Sequence, residues 1–282
     1  MIIDQRLPPP TTSAMVVVTA LLEQRTGQQI APNRSWRIET ALKPLLRARA
    51  LPSLEALVDE LMRDPGGVVA EQIVDALLNQ ETSFFRDAPI FDALLAAIEG
   101  EAATGRRPRL WSAACSTGQE PLSLAILLAE RARAGVTIDA EIVATDVSEA
   151  ALARARSGRY SQFEIQRGLS VRRMIDWFEA IGPDWVARPE LVSRITFRRQ
   201  NLVTDAPPPG RFDIILCRNV MLYLSPALRR AVLDRLALAM RPGGLLVLGA
   251  GETVIGQSDA FVPSARYKGL YEPATGARAA AA

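Results

Sequence analysis

From Arg109 onward the chain alternates short apolar runs with helical periods, and this constrains its fold more than any other feature. Residues 110–113, 140–145, 212–217 and 245–249 read as strands, while 120–134, 149–157 and 226–240 read as helices. Consecutive parallel strands need a crossover of a dozen residues or more, and helices in those crossovers cover both faces of the sheet. The alternation therefore predicts an α/β domain built on a parallel sheet. A run at 267–271 offers one more strand, and the Pro-Gly-Gly at 242–244 is expected to end the last helix and turn into the strand after it. Between 160 and 202 the rhythm breaks: 174–180 is briefly helical, while 184–186 and 195–199 are β-like. This predicts an inserted subdomain at about 160–200, within a domain spanning 109–272.

The first eighty residues carry helical periods only, at 13–25, 35–49, 53–63 and 67–79, and predict a helical N-terminal domain joined by a linker at 81–108. The second helix concentrates Arg34, Arg37, Lys43, Arg47 and Arg49 against the single acid Glu39. Such a face reads either as a solvated surface or as a dock for an acidic partner. The alanine-rich end, 273–282, is expected to fray. Residues 1–10 place acid and proline where a signal peptide needs an apolar core, and the apolar stretch 14–22 is too short to span a bilayer, so no membrane insertion and a cytoplasmic location are expected.

Composition removes several chemistries. There is no histidine, which excludes Ser-His-Asp triads and histidine metal sites. Cys115 and Cys217 lie far apart in apolar runs and supply neither a disulfide framework nor a zinc cluster, so no metal is expected. The 33 basic and 31 acidic residues nearly balance, which does not suggest a nucleic-acid partner.

Open parallel sheets bind ligands beyond the carboxyl ends of their strands. Those positions here are polar: Cys115-Ser116-Thr117-Gly118-Gln119-Glu120, Thr145-Asp146, and Arg218-Asn219. With Gly118 as its one glycine, the first loop matches neither the dinucleotide fingerprint nor the P-loop, which disfavours a pyrophosphate. Glu120 reads as a helix N-terminal charge or as a carboxylate for a ligand's cation. Asp146 reads as the acceptor for a pair of ribose hydroxyls or as a cap for the helix after it. Taken together, these residues fit a nucleoside without a phosphate chain, a description that S-adenosylmethionine meets.

Seven stretches then carry a resemblance: E-T-S-F-F-R-D at 81–87, W-S-A-A-C-S-T-G-Q-E-P at 111–121, A-T-D-V-S at 144–148, S-G-R-Y-S at 157–161, F-R-R-Q-N-L at 197–202, C-R-N-V-M-L-Y at 217–223 and R-P-G-G-L-L-V-L-G at 241–249. In this order the chain resembles the CheR-type chemotaxis receptor glutamate methyltransferases along nearly its whole length. The resemblance implies a class I S-adenosylmethionine-dependent methyltransferase sheet with a small antiparallel β insert, preceded by an all-α N-terminal domain. It implies cofactor contacts from Thr82, Arg86, Glu120, Asp146, Asn201, Leu202, Arg218 and Asn219, with Asp146 on the ribose and Asn201 and Leu202 near the adenine. Gln80 stands where the family usually has asparagine, with Asn79 beside it, and either amide suits that contact. Arg86 and Tyr223 match positions next to the transferred methyl group.

The implied reaction moves a methyl group from S-adenosylmethionine to glutamate carboxylates in the cytoplasmic helical domain of chemoreceptors and leaves S-adenosylhomocysteine. The basic helix at 34–49 is the candidate dock for that acidic partner. Two other readings compete. A noncatalytic adaptor would bind receptors and sense the cofactor. A nucleic-acid methyltransferase would need the N-P-P-Y type of loop where this chain has Arg218-Asn219-Val220-Met221, and a basic-aromatic tract that the sequence lacks.

Overall fold

The computed structural model describes residues 12–274, so the stretch 1–10 and, of the end 273–282 expected to fray, residues 275–282 lie outside the described residues, while Pro273 closes a strand. The chain divides into two units, Met1–Asn79 with Tyr223–Ser225, and Gln80–Leu222 with Pro226–Ala282.

The first unit is helical: α1 (Ser13–Thr26), α2 (Trp36–Ala48), α3 (Leu54–Arg63) and α4 (Val68–Leu77). Side-chain caps set where these helices begin. Thr12 Oγ1 accepts from the Met15 amide at 3.3 Å and Ser53 Oγ from the Ala56 amide at 3.3 Å, each satisfying a donor the helix cannot. Gly27, at φ 74°, ends α1 in the left-handed conformation that costs glycine nothing. Met15, Val18, Leu22, Ile38, Leu42, Leu57 and Ile73 are buried. The segment Tyr223–Ser225 belongs here: the Gln29 amide donates to the Tyr223 carbonyl at 2.7 Å, Leu224 bridges to Gln28, and the Leu224 side chain is buried.

In chain order the second unit runs α5 (Ala88–Ala103), β1 (Arg109–Ala113), α6 (Gln119–Arg133), β2 (Glu141–Asp146), α7 (Glu149–Ser157), β3 (Arg159–Ser161), α8 (Gln162–Gln166), α9 (Val171–Trp177), β4 (Phe178–Ile181), β5 (Asp184–Ala187), α10 (Pro189–Val192), β6 (Ile195–Arg199), β7 (Phe212–Leu216), α11 (Pro226–Ala239), β8 (Met240–Val247), β9 (Phe261–Pro263) and β10 (Tyr271–Pro273). Seven strands form one sheet in the order β6-β2-β1-β7-β8-β10-β9, parallel from β6 to β8, with β10 and β9 antiparallel. A three-stranded antiparallel sheet, β3-β5-β4, is the insert. The fold class is thus the expected one. Every residue of β7 is buried, as a parallel strand covered on both faces must be. The chain leaves β1 toward β2 and β6, then returns to place β7 on β1's other side. That reversal puts the topological switch point between β1 and β7, where ligands bind at the strands' carboxyl ends. No helix among the described residues is long and apolar enough to cross a membrane.

Several expectations need correction. Residues 195–199, assigned above to the insert, are β6 of the main sheet and pair in parallel with β2, Ile142 opposite Ile195. Its half-buried alternation belongs to an edge strand, which sequence alone does not separate from a hairpin strand. The helix expected at 174–180 begins at Val171 and stops at Trp177, where β4 takes over. The linker 81–108 contains α5, whose buried Phe91, Leu94, Ala97 and Ile98 repeat at helical spacing behind a proline in its first turn. The Pro-Gly-Gly does not separate helix from strand. β8 already starts at Met240, and 242–244 lie in the register shift between the Phe212–Met240 and Ile214–Leu245 pairs. The strand expected at 267–271 is β10, which begins at Tyr271 and includes Pro273.

Candidate active site

The loops after β1, β2 and β7 open at adjacent strand ends. The β1 loop makes its turns with Ala114, Ser116 and Gly118 at φ 60°, 51° and 90°. It is tied down at several points: the Cys115 amide donates to Thr145 O at 2.8 Å, and the Tyr160 hydroxyl to Thr117 O at 2.8 Å. A Cβ on Gly118 would sit 2.7 Å from that of Ala155, so only glycine fits between this loop and α7. Burial pushes the Cys115 and Cys217 thiols up, which keeps both protonated and removes them as nucleophiles.

Asp146 is buried at the end of β2. Its Oδ2 accepts from the Ser116 amide at 2.7 Å and its Oδ1 from the Ser148 amide at 2.9 Å, which fixes both loops to one carboxylate. The cap of α7 is Ser148, whose Oγ accepts from the Ala151 amide at 3.0 Å. The helix-cap alternative for Asp146 therefore falls to its neighbour. Gln80 joins the same cluster: its carbonyl accepts from Ser116 Oγ at 2.8 Å, and its side-chain amide donates to Ser148 Oγ at 3.3 Å.

A second cluster centres on Arg218, whose side chain is 3% exposed. Nη1 donates to Glu120 Oε2 at 3.3 Å, and Nη2 to the Arg86 carbonyl at 2.9 Å and to Asp87 Oδ2 at 2.5 Å. Ser112 Oγ donates to the other Glu120 oxygen at 2.7 Å. Burial raises the Glu120 carboxyl above its ordinary value, opposed by Arg218, Ser112 and Arg86. Arg218 Nε is buried without a hydrogen-bond partner among the described residues. A buried donor in that state suits an incoming acceptor.

Arg218 also anchors the 81–87 segment. Phe85 and Asp87 adopt φ 47° and 59°, a region where non-glycine residues cost roughly 1–3 kcal/mol and need outside support. That support comes from Arg218 on Asp87 and from Ser123 Oγ, which accepts the Phe85 amide at 3.0 Å. Phe84 is buried edge-on to Tyr160 and Phe178, with ring centroids 5.1 and 5.4 Å away. Arg86 is half-buried, its Nη1 reaching the Glu81 carbonyl at 3.5 Å, and Thr82 is half-buried beside it in sequence.

Asn201 and Leu202 follow β6. Asn201 folds on itself, its Oδ1 accepting from the Val203 amide at 2.9 Å and its own amide donating to Asp205 at 2.8 Å. Leu202 is buried, and its carbonyl accepts from Arg235 at 2.5 Å. The Gln200 amide donates to the Asp146 carbonyl at 2.9 Å, which ties this loop to the end of β2. Tyr223 belongs to the helical unit, where its hydroxyl accepts from the Asn79 amide. Asn219, at φ 60°, gives its amide to Glu252 at 2.7 Å.

The structure thus joins Gln80 with Asp146, and Arg86 with Glu120 and Arg218. Sequence reasoning missed Ser112, Asp87 and Glu252. Asp87 stood inside a quoted motif, and Glu252 follows a strand end, so the rule that located Asp146 would also have reached it. Chemically, a buried acid-arginine pair suits the ammonium and carboxylate of an amino acid, and an aspartate at a strand end suits vicinal hydroxyls.

Comparison with known proteins adds the family. The model described as "CheR methyltransferase, SAM binding domain" matches residues 80–268. A chemotaxis protein methyltransferase (Cher2) of Pseudomonas putida is 36% identical over 85% of this chain and 90% of its own length. Chemotaxis protein methyltransferase 1 of Pseudomonas aeruginosa is 37% identical over 83% and 87%. The Vibrio parahaemolyticus chemotaxis protein methyltransferase is 36% identical over 85% and 89%.

Proposed function

Because this chain belongs to the CheR methyltransferase family and is dependent on S-adenosylmethionine, we propose that it methylates glutamate side chains of chemoreceptors, forming methyl esters. The buried Arg218–Glu120 pair, one strand away from Asp146, supports the cofactor half of this reading most strongly. Together they present two carboxylates and an arginine to a ligand that carries two positive groups, one carboxylate and a ribose.

When bound, S-adenosylmethionine supplies a methyl group on a positively charged sulfur. Asp146 accepts from the ribose hydroxyls, Glu120 receives the ammonium, and Arg218 Nε together with Thr82 faces the amino-acid carboxylate. Gln80 and Asn219 line the same cleft, and Asn201 and Leu202 flank the adenine. A receptor glutamate, with an ordinary pKa of about 4.3, is already ionised near neutrality, so no general base is required. This accounts for an active site without histidine.

Alignment is then the main task, and it contributes roughly 7–11 kcal/mol in well-oriented reactions. Arg86 orients the incoming carboxylate through charge-assisted hydrogen bonds, held in place by Arg218 on its carbonyl. Tyr223 matches the family position next to the transferred methyl group and is assigned a role there by that resemblance. On the helical unit, Lys43 and Arg47 are exposed on α2 and steer the acidic receptor helices, whereas Arg49 is engaged with Glu60 at 2.8 Å. The deciding assay incubates the protein with methyl-labelled cofactor and a receptor cytoplasmic fragment. Label that alkali releases as methanol supports the ester, whereas stable label or none refutes it.

A further inference from the structure

Glu252 has no part in the cofactor contacts proposed above, yet both its oxygens are committed to the backbone of the site. Oε2 accepts from the Asn219 amide at 2.7 Å and from the Gly249 amide at 2.8 Å, and Oε1 accepts from the Leu222 amide at 3.3 Å. Glu252 closes its own turn as well, its amide donating to the Gly249 carbonyl at 2.9 Å. One side chain therefore clamps the loop after β7 to the loop after β8.

The clamp acts on a residue in an uncommon conformation. Asn219 sits at φ 60°, and its carboxamide packs where Gly249 has no side chain: a Cβ there would lie 2.6 Å from Asn219 Nδ2 and 2.8 Å from its Cγ. Both the direction of the Asn219 side chain and the space it occupies are thus fixed by the β8 loop.

We propose that Glu252 and Gly249 are positioning residues that lock Asn219 into the cofactor cleft, setting affinity for the nucleoside through Asn219 and not through contacts of their own. This rests on the reading of Asn219 as a cofactor residue given above.

The test is a double-mutant cycle read by calorimetry with S-adenosylhomocysteine on the full chain. Glu252→Ala should weaken binding at least tenfold, about as much as Asn219→Ala, and the double variant should be within twofold of Asn219→Ala alone. Losses that multiply, or an unchanged affinity in Glu252→Ala, overturn the proposal. Should Glu252→Ala fail to fold, Gly249→Ala decides: it should weaken binding in the wild-type background and not in Asn219→Ala. A wild-type protein that does not bind S-adenosylhomocysteine refutes the functional reading instead. The clamp is then judged by hydrogen exchange at the Asn219 and Leu222 amides, which Glu252→Ala should accelerate at least tenfold, and unchanged exchange overturns it.

Discussion

Replacing Arg218 with alanine isolates the electrostatics of the site. Glu120 would lose its cation while keeping its burial, with a side chain only 12% exposed. Removing one partner of a buried pair typically costs about 3–5 kcal/mol because a lone charge remains. A carboxyl can escape by taking up a proton, which caps its share. At 1.36 kcal/mol per pKa unit, protonating an acid of ordinary value near 4.5 costs about 3.4 kcal/mol at pH 7 and about 1.4 kcal/mol at pH 5.5.

The sign follows from burial. Glu120 in the folded protein already sits above its unfolded value, so the folded state holds the proton more tightly. Stability falls as pH rises from the unfolded value to the folded one and is level above it. Loss of Arg218 raises the folded value further and extends this decline upward. Urea unfolding of ligand-free Arg218→Ala should therefore show a larger deficit at pH 7 than at pH 5.5, the difference being at most about 2 kcal/mol for one proton. Adding Glu120→Gln should recover most of the pH-dependent part. A deficit equal at both pH values, or a double variant less stable than Arg218→Ala at pH 7, would refute the reasoning.

Asp146→Ala should weaken S-adenosylhomocysteine binding by roughly 1.5–3 kcal/mol, about ten- to 150-fold, through lost charged hydrogen bonds to ribose; calorimetry on folded protein checks it. Arg86→Ala should reduce turnover far more than cofactor affinity, measured by separating kcat from the dissociation constant. Gly118→Ala, at φ 90° and against Ala155, should lower stability by about 1–3 kcal/mol in urea. Charge reversal of Lys43 and Arg47 should slow association with a receptor fragment, with the difference shrinking as salt increases; rates indifferent to ionic strength would remove α2 from the interface.

The parallel core was legible because it depends on short-range pattern: β1, β2 and β7 are apolar runs that end in polar residues. β6 was legible as β-like but not as part of the main sheet, because its exposed Thr196, Arg198 and Arg199 suit an insert hairpin equally well and strand pairing is a long-range property. The site divided in the same way. Glu120, Asp146 and Arg218 each follow a strand, and the strand-end rule finds them. That Arg218 grips Asp87 and the Arg86 carbonyl, 131 and 132 residues away in sequence, depends on two φ-strained residues and a shared burial that no local spacing encodes. The alternatives for Asp146 could be separated only when Ser148 was seen to cap α7.

The return of Tyr223–Ser225 to the helical unit means that the polypeptide crosses the boundary between units three times, after Asn79, after Leu222 and after Ser225. Cutting at the first crossing does not yield two self-sufficient fragments. A 1–79 piece would lack the tripeptide that closes its Gln28–Leu224 bridge, and the remainder would carry that tripeptide without the Gln28 and Gln29 backbone it pairs with. Exchange of this chain's helical unit for another would thus have to carry a matching replacement at 223–225, far along the second unit.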